Sequence, residues 1–369
     1  MAAIATISSN PAQYALELES MGAGFLISFE GGDVTADVIA EKPSSDGIVH
    51  KHIGGVKYED MSVEIGADMS ASVYEWIADT LGRMYRRRDG AIVATDKTFR
   101  ATSRLEFFHA LIREITFPPL DATSKNPGSI QIKFAPEYTR LKQSSGQIFA
   151  NERKSQQWFV SDFRLQIDGL DCSRVTAIDA LTISRAVEPD TVIRDYQKVG
   201  SSPLVIPNLA FTIEESAADS LRAWHEDFVI RGNNTSAAEK NGTLRFLSPN
   251  LQETLFTVTL NNLGIFKLAV DKTETSNAVL RLRAEMYCEE ISLQYKTGAT
   301  PTVTTSPANP TENSVDVTNR GTPASPPLRG GTLPTAATSS SLAGSQSQPT
   351  ASEAITNPLN LGRPLKFRT

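Results

Sequence analysis

Apolar residues recur at every second position in several segments of this chain, and this pattern is the strongest constraint on its fold. Such alternation is typical of β-strands with one buried face. The sequence therefore predicts a mainly β protein. The apolar sides of the predicted strands are Phe25, Ile27 and Phe29; Ile130, Ile132 and Phe134; Phe163, Leu165 and Ile167; Phe256, Val258 and Leu260; and Leu280, Leu282, Ala284 and Met286.

Only two segments have a convincing helical period, and each contains a tryptophan. Residues 70–86 carry an apolar stripe around Trp76, and residues 216–231 carry one around Trp224. Gly232 is a plausible stop for the second helix, because glycine favours the backbone conformation that ends helices. We expect one helix in each half of the fold.

The two halves share one order of predicted elements: a strand, a long polar loop, a strand, the Trp-bearing helix and three further strands. Residues 24–32 align with 162–170, residues 62–65 align with 210–213, and Trp76 falls on Trp224. Sequence identity is low, so the prediction rests on this shared order. We predict tandem domains at residues 1–150 (core 20–142) and 151–296, joined near residues 142–157.

The remaining residues have a composition that cannot support a core. Tyr295 is the last aromatic residue before Phe367, and residues 297–369 contain 10 of the 20 prolines. We predict a disordered tail, because so little apolar surface cannot offset chain entropy. Its last residues, 357–369, are either a docking peptide on a flexible tether or a frayed terminus; the apolar anchors of such a peptide are Leu359, Leu361, Leu365 and Phe367.

Charge and cysteine content exclude several protein classes. The net charge of −6 argues against nucleic acid as the main partner, because phosphate contacts need clustered Lys and Arg. We interpret the basic run at residues 86–88 as the end of a helix rather than a binding patch. The sequence contains no run of 18 apolar residues, so it predicts no membrane span. Cys172 and Cys288 are too few and too far apart for a disulfide scaffold.

Signals of catalysis are weak. The sequence has no Gly-x-Ser-x-Gly, Walker or His-Glu-x-x-His motif. His50 and His52 are close enough to share a metal ion, but no third ligand lies at a suitable spacing, and we interpret them as loop residues. We interpret the glycine pairs at 31–32 and 54–55 as turns. We therefore predict no enzyme, no metal site and no cofactor.

Two long polar segments stand at corresponding places in the halves. Residues 40–56 separate two strands in the first half, and residues 186–207 do so in the second. Loops this long inside a compact domain are usually functional. Their presence in both halves suggests contact with a neighbouring molecule, although surface decoration would explain them equally well.

Several motifs in the first half resemble one family. Lys51-His-Ile-Gly-Gly-Val-Lys-Tyr58, the helix with Val73-Tyr-Glu-Trp-Ile77, and Arg87-Arg-Asp-Gly-Ala-Ile-Val93 are similar to the tail tube proteins of contractile-tailed phages and contractile injection systems. The resemblance covers residues 20–142. The second half resembles the family mainly through element order and Trp224, because residues 202–209 lack the Lys-Tyr pair.

This resemblance implies two tandem tail-tube-like domains, each a small β-barrel or sandwich with one flanking helix. It also implies stacked rings around a channel, in which the long loops contact the next ring. Two such domains per chain would build a six-domain ring from three chains. The implied inter-ring contact residues are Lys51, His52, Gly54, Gly55, Lys57, Tyr58, Asp195, Tyr196 and Lys198.

The resemblance therefore implies a structural ring protein, either a trimer or a hexamer, and favours a baseplate hub or tube initiator. A tube terminator or cap adaptor and a tube body protein are alternatives, and a monomeric β-rich ligand-binding protein is the rival from another class. The implied partners are tail tube, sheath, spike or cap proteins, without nucleic acid specificity. Assembly in the bacterial cytoplasm, as part of a phage-tail-like particle, follows from the same resemblance.

Overall fold

A computed structural model of the protein describes residues 13–42, 47–146, 158–186, 189–193, 196–199, 202–271 and 280–295. Across these residues the chain forms nineteen β-strands and two α-helices, which confirms the mainly β fold with one helix per half. No helix in this part of the chain is long and apolar enough to cross a membrane. The predicted tail and its docking peptide lie outside the described residues.

The first half contributes ten strands and one α-helix. In chain order they are β1 (Gln13–Leu18), β2 (Met21–Gly31), β3 (Val34–Ala40), β4 (Lys51–Tyr58), β5 (Met61–Ile65), α1 (Ala71–Leu81), β6 (Arg88–Thr95), β7 (Ala101–Phe117), β8 (Leu120–Asp121), β9 (Ile130–Ala135) and β10 (Tyr138–Gln143).

Six of these strands close into a barrel. Going around it, β1 pairs with β2, β2 with β5, β5 with β9, β9 with β7, β7 with β6, and β6 with β1. Closure leaves these strands without a free edge on the path around the barrel. β10 adds to the long strand β7 and forms an edge of the first sheet.

The second half contributes nine strands and the second α-helix. In chain order they are β11 (Phe163–Ile167), β12 (Val175–Ile178), β13 (Leu181–Ser184), β14 (Pro189–Ile193), β15 (Tyr196–Val199), β16 (Leu209–Glu214), α2 (Asp219–His225), β17 (Lys240–Leu247), β18 (Thr254–Val270) and β19 (Arg281–Tyr295).

The second sheet repeats the pairing order of the barrel but stays open. Its order is β11-β17-β18-β19-β16-β12-β8, and the first six of these strands correspond to β1-β6-β7-β9-β5-β2 in the first half. β11 and β12 do not pair with each other, although β1 and β2, their counterparts in the first half, do. The order places β11 where β1 stands, so the alignment of residues 24–32, on β2, with residues 162–170 is wrong.

Each helix is tied to the strand that follows it by its tryptophan. Trp76 Nε1 donates a hydrogen bond of 3.1 Å to the Arg86 carbonyl, and Trp224 Nε1 donates one of 3.3 Å to the Ala238 carbonyl. In both halves the acceptor stands two residues before the next strand, β6 or β17. The two tryptophans aligned from the sequence therefore perform the same local task.

A single hydrophobic core runs through both halves. Trp158 lies edge-on against Phe246 and Phe256, with ring centroids 5.2 and 5.8 Å away. Tyr74 of α1 stacks on Tyr295 of β19 at 5.3 Å. The halves also exchange strands, because β8 pairs with β12 and β13 pairs with β7.

A β-bulge in β2 overturns the prediction that Phe25, Ile27 and Phe29 share one face. Leu26 pairs with Ile65 and Ser28 with Glu64, so Ile27 is an extra residue. An extra residue reverses the alternation of side chains beyond it. Phe25 packs on a small cluster outside the barrel, Ile27 is exposed, and Phe29 packs against the main core.

Both helices are shorter than their patterns predict. α1 ends at Leu81, and Arg83 follows with a left-handed φ of 62°. α2 passes into a π-helical turn at Glu226–Ile230, and Gly232 follows with a φ of 76°, as expected for a stop. Because α1 ends early, the basic run at residues 86–88 is not a helix end, and Arg88 begins β6.

Replacing Trp76 with phenylalanine should cost more stability than the same change at Trp158. Both residues are 1% exposed, but Trp158 Nε1 has no hydrogen-bond partner among the described residues, whereas Trp76 Nε1 donates a hydrogen bond to the Arg86 carbonyl. We expect Trp76→Phe to lower the free energy of unfolding by about 1 kcal/mol more than Trp158→Phe. Urea unfolding measures the difference, and equal losses would contradict the role of the bond.

Candidate inter-subunit surface

A hairpin made of β3 and β4 is highly exposed. Every residue of β3 is exposed, and the hairpin forms its own two-stranded sheet. Most of β4 falls in the segment predicted as a long polar loop, so that prediction is wrong for residues 51–56. The alternation was hard to detect because neither face of these strands is buried in the core.

Pairing within the hairpin places apolar residues on one face. Tyr58 stands opposite Val34, Val56 opposite Ala36, and Ile53 opposite Val38. Residues that pair directly, and every second residue along a strand, share a face. These six residues form what we call the apolar face of the hairpin, on which Val38 is 67% and Ile53 73% exposed.

The opposite face of the hairpin is polar apart from Ile39. Lys57 Nζ lies 2.7 Å from an Asp37 carboxylate oxygen, and His52 Nδ1 lies 3.4 Å from Glu41 Oε1. All four side chains are more than half exposed, so these pairs contribute little to stability. The asymmetry between the faces leaves the apolar side as the one suited to burial against another surface.

Gly54 and Gly55 lie inside β4 and do not form a turn. They stand together opposite Asp37, at a bulge where Val38 pairs with Ile53 and Ala36 with Val56. A Cβ on Gly54 would lie 3.0 Å from Ile39 Cδ1, so the close approach suits glycine. At Gly31 and Gly32 the turn prediction is confirmed, because φ is +84° and +83°.

A second hairpin, β14 with β15, occupies the corresponding place in the second half, and its backbone lies close to β4. The structure thus brings the two predicted contact segments together. Lys51 to Tyr58 form β4, Tyr196 and Lys198 lie on β15, and Asp195 lies outside the described residues. Contact of these residues with another ring stays a prediction.

Sequence reasoning missed the apolar face itself. The predicted contact residues on β4 were mostly polar or glycine, whereas Val34, Val38 and Ile53 carry the exposed apolar area. The signal that could have found them is the alternation Val34, Ala36, Val38 next to an exposed, polar-flanked segment.

The three arginines at residues 86–88 form ion pairs within the chain. Arg87 Nη1 lies 2.8 Å from Glu137 Oε1, Arg88 Nη1 lies 2.6 Å from Glu19 Oε1, and Arg86 Nε lies 3.4 Å from Asp79 Oδ2. Each arginine therefore has a carboxylate partner, and this neutralisation disfavours a binding patch for anions.

Groups with catalytic chemistry do not converge in the described part of the chain. No three His, Cys, Asp or Glu side chains there could hold a metal ion, and His50 and His52 gain no third ligand. Burial raises the pKa of both Cys172 and Cys288 to about 11, so neither thiol is ionised near neutral pH.

Comparison with known proteins gives one family match. Residues 11–140 match the family of the T4-like virus tail tube protein gp19. No curated protein sequence matches the chain.

Solved assemblies contain chains with weak similarity. A chain of the tube-terminating cap of the anti-feeding prophage is 19% identical, with a TM-score of 0.31, over 36% of this chain and 88% of that one. A chain of the sheath–tube complex of the PVC extracellular contractile injection system is 16% identical, with a TM-score of 0.33, over 38% and 94%. A chain of the anti-feeding prophage baseplate is 14% identical, with a TM-score of 0.24, over 50% and 93%.

The family match includes the motifs that suggested the resemblance, and it spans the closed barrel and the β3–β4 hairpin. The resemblance predicted from the sequence is therefore confirmed, and residues 11–140 of this chain are similar to the tail tube protein gp19 of T4-like viruses.

Proposed function

We propose that this chain is a structural, ring-forming component of a contractile injection particle, and that it forms a baseplate hub or tube-initiator ring. The observation that carries the proposal is the repeated pairing order of the two sheets. The matched tryptophan anchors of α1 and α2 support it. Each half is then a tube-like domain, and one chain fills two ring positions.

Three chains would complete a ring of six positions with pseudo-sixfold symmetry. The two halves differ, since the first is a closed barrel and the second an open sheet. Alternating unlike positions give a ring true threefold symmetry. A ring of this kind suits a junction between threefold and sixfold neighbours, as a hub or an initiator requires.

The apolar face of the β3–β4 hairpin is the surface we assign to contact with the next ring. Contiguous exposed apolar area rimmed by polar residues is typical of protein interfaces. The predicted contact residues of β4 and β15 lie within or beside this surface. Burial of Val38 and Ile53 against a neighbour would supply most of the favourable free energy of association, because charged contacts at the rim contribute little.

Two other positions along the particle agree with the same geometry. A tube terminator or cap adaptor would also join unlike rings. The family match of residues 11–140 is also compatible with a tube body protein, which we rank third. In each case the partners are tube, sheath, spike or cap proteins, and assembly takes place in the bacterial cytoplasm. A monomeric ligand-binding protein is the alternative of a different class.

Purified full-length protein should assemble into trimeric rings. We expect native mass spectrometry to give about 120 kDa, three times the chain mass of 40.1 kDa, and negative-stain images to show six lobes. A mass of six chains would favour a tube body with one ring position per chain. A monomer at high concentration would contradict the proposal.

Charged residues on the apolar face should prevent stacking of rings without unfolding the chain. We expect Val38→Asp and Ile53→Asp to leave the free energy of unfolding within about 0.5 kcal/mol of the native value, because both side chains are exposed. Electron microscopy should then show single rings and no stacks.

The matched control is Ile39→Asp, which places the same charge on the opposite face of the same hairpin at a residue that is 46% exposed. This variant should stack like the native protein. Loss of stacking in all three variants would mean that a charge on either face prevents stacking, which would contradict the assignment of the contact to the apolar face.

A further inference from the structure

The second sheet has an open slot where the first half has a closed barrel wall. A cavity of about 980 Å³ lies between β11 and the segment that leads into β12. Its wall includes Ala122, Phe163, Leu165, Cys172, Val175 and Arg245. In the first half, β1 and β2 pair directly and close the barrel at the corresponding place.

β11 presents main-chain groups along this slot. Among the described strands it pairs with β17 alone. Leu247 N donates a hydrogen bond to Asp162 O, so the even-numbered residues of β11 face β17. Because the bonding direction alternates along an antiparallel strand, the main-chain groups of Phe163 and Leu165 face the slot, while their side chains lie on the core side. Such an edge is a template for a further strand.

β3 has an edge of the same kind. Among the described strands it pairs with β4 alone. Glu59 N donates a hydrogen bond to Asp33 O at one end of the hairpin, and Glu41 N donates one to His50 O at the other. The odd-numbered residues of β3 therefore face β4, and the main-chain groups of its even-numbered residues face outward. The side chains of these even-numbered residues lie on the apolar face of the hairpin.

The two edges match in both main-chain groups and side chains. Residues directly opposite each other in an antiparallel pair share a face, and they exchange two hydrogen bonds where their main-chain groups meet. In β11 the residues that face the slot carry core side chains, and in β3 the residues that face outward carry apolar ones. Pairing of the edges therefore places Val34 and Val38 beside the core of the second sheet.

Two arginines stand directly opposite each other beside the slot. Arg164 of β11 pairs in register with Arg245 of β17; Arg164 is exposed and Arg245 half-buried. Like charges in this position repel and destabilise the sheet. Neither forms an ion pair with an acidic side chain in the described part of the chain. An acidic residue on an added strand would relieve the repulsion.

We propose that β3 of a second copy of this chain, in the next ring, adds to the edge of β11. The two strands are antiparallel, and residues 34–38 pair with residues 163–167, so that Asp37 stands opposite Arg164. This inference rests on the stacking of rings in the proposed function and adds the surface that receives the hairpin. The contact joins unlike surfaces of two copies, so every chain can donate one strand and accept another, as stacking requires.

β10, another edge strand of the described fold, suits the slot less well. It carries Arg140 and Lys142, whose charges would add to the repulsion beside the slot. β3 contains no basic residue, and its one acidic residue, Asp37, lies between two residues of the apolar face. Asp37 pairs with Lys57 within its own hairpin, but both side chains are more than half exposed, so exchanging that partner for Arg164 costs little.

Amide hydrogen exchange of the full-length protein tests whether stacking covers β11. We expect the Phe163 and Leu165 amides to exchange about tenfold more slowly in stacked rings than in single rings obtained by dilution. The Arg164 amide, which faces β17, is the matched control and should exchange at one rate in both. Equal rates for Phe163 and Leu165 in stacks and single rings would overturn the proposal, whether the edge stays open or the chain covers it.

A charge exchange tests the contact between Asp37 and Arg164. Asp37→Lys and Arg164→Glu should each weaken stacking about tenfold, and the double variant should recover at least half of the loss. Glu41→Lys is the matched control, because it makes the same change on the same face beyond the paired residues, and it should stack like the native protein. A double variant that stacks no better than the weaker single variant would overturn the assignment of Asp37.

Cysteine cross-linking tests the register and separates this inference from the proposed function. Mixed Asp37→Cys and Arg164→Cys chains should form disulfide-linked dimers, because a non-hydrogen-bonded pair brings the Cα atoms to about 4.5 Å. Ile39→Cys, two residues out of register, should give about tenfold less dimer with Arg164→Cys. Equal yields would overturn the register. Rings that stack without this dimer would overturn the inference alone, whereas a monomeric chain would overturn the proposed function as well.

Discussion

The exchange of strands between the two halves is the constraint on which the rest of the structure depends. β8 leaves the first half to pair with β12, and β13 leaves the second half to pair with β7. These pairings hold the two sheets together around Trp158 and its aromatic neighbours. The halves are therefore related in pairing order yet share one continuous hydrophobic core.

Element types were predictable from the sequence where one face of an element is buried. Leu165 and Ile167 on β11, and Trp76 and Trp224 on the helices, follow their periods because the core selects apolar residues at those positions. Prediction failed at Ile27, where a bulge reverses the alternation, and at Lys51 to Val56, where no buried face exists. Apolar alternation cannot reveal strands that have both faces exposed.

The same limit applies to the candidate surface. Its location in the chain was predictable, because the extra residues stand at one place in both halves. Its chemistry was not, because the apolar face depends on which residues of β3 oppose which residues of β4, and the Gly54–Gly55 bulge sets that register. The exchange of β8 and β13 between the halves could not be predicted either. Strands of two and four residues carry no sequence pattern that identifies a distant partner.

Strand exchange also has a consequence for the order in which the nascent chain can fold. When residues up to 146 have left the ribosome, the strands of the first barrel are complete, but β8 and the outer edge of residues 114–117 on β7 still await β12 and β13. About 40 further residues must emerge before these edges are covered. Unpaired edges invite association with other chains. Synthesis of the second half therefore covers the strand edges that the first half leaves open.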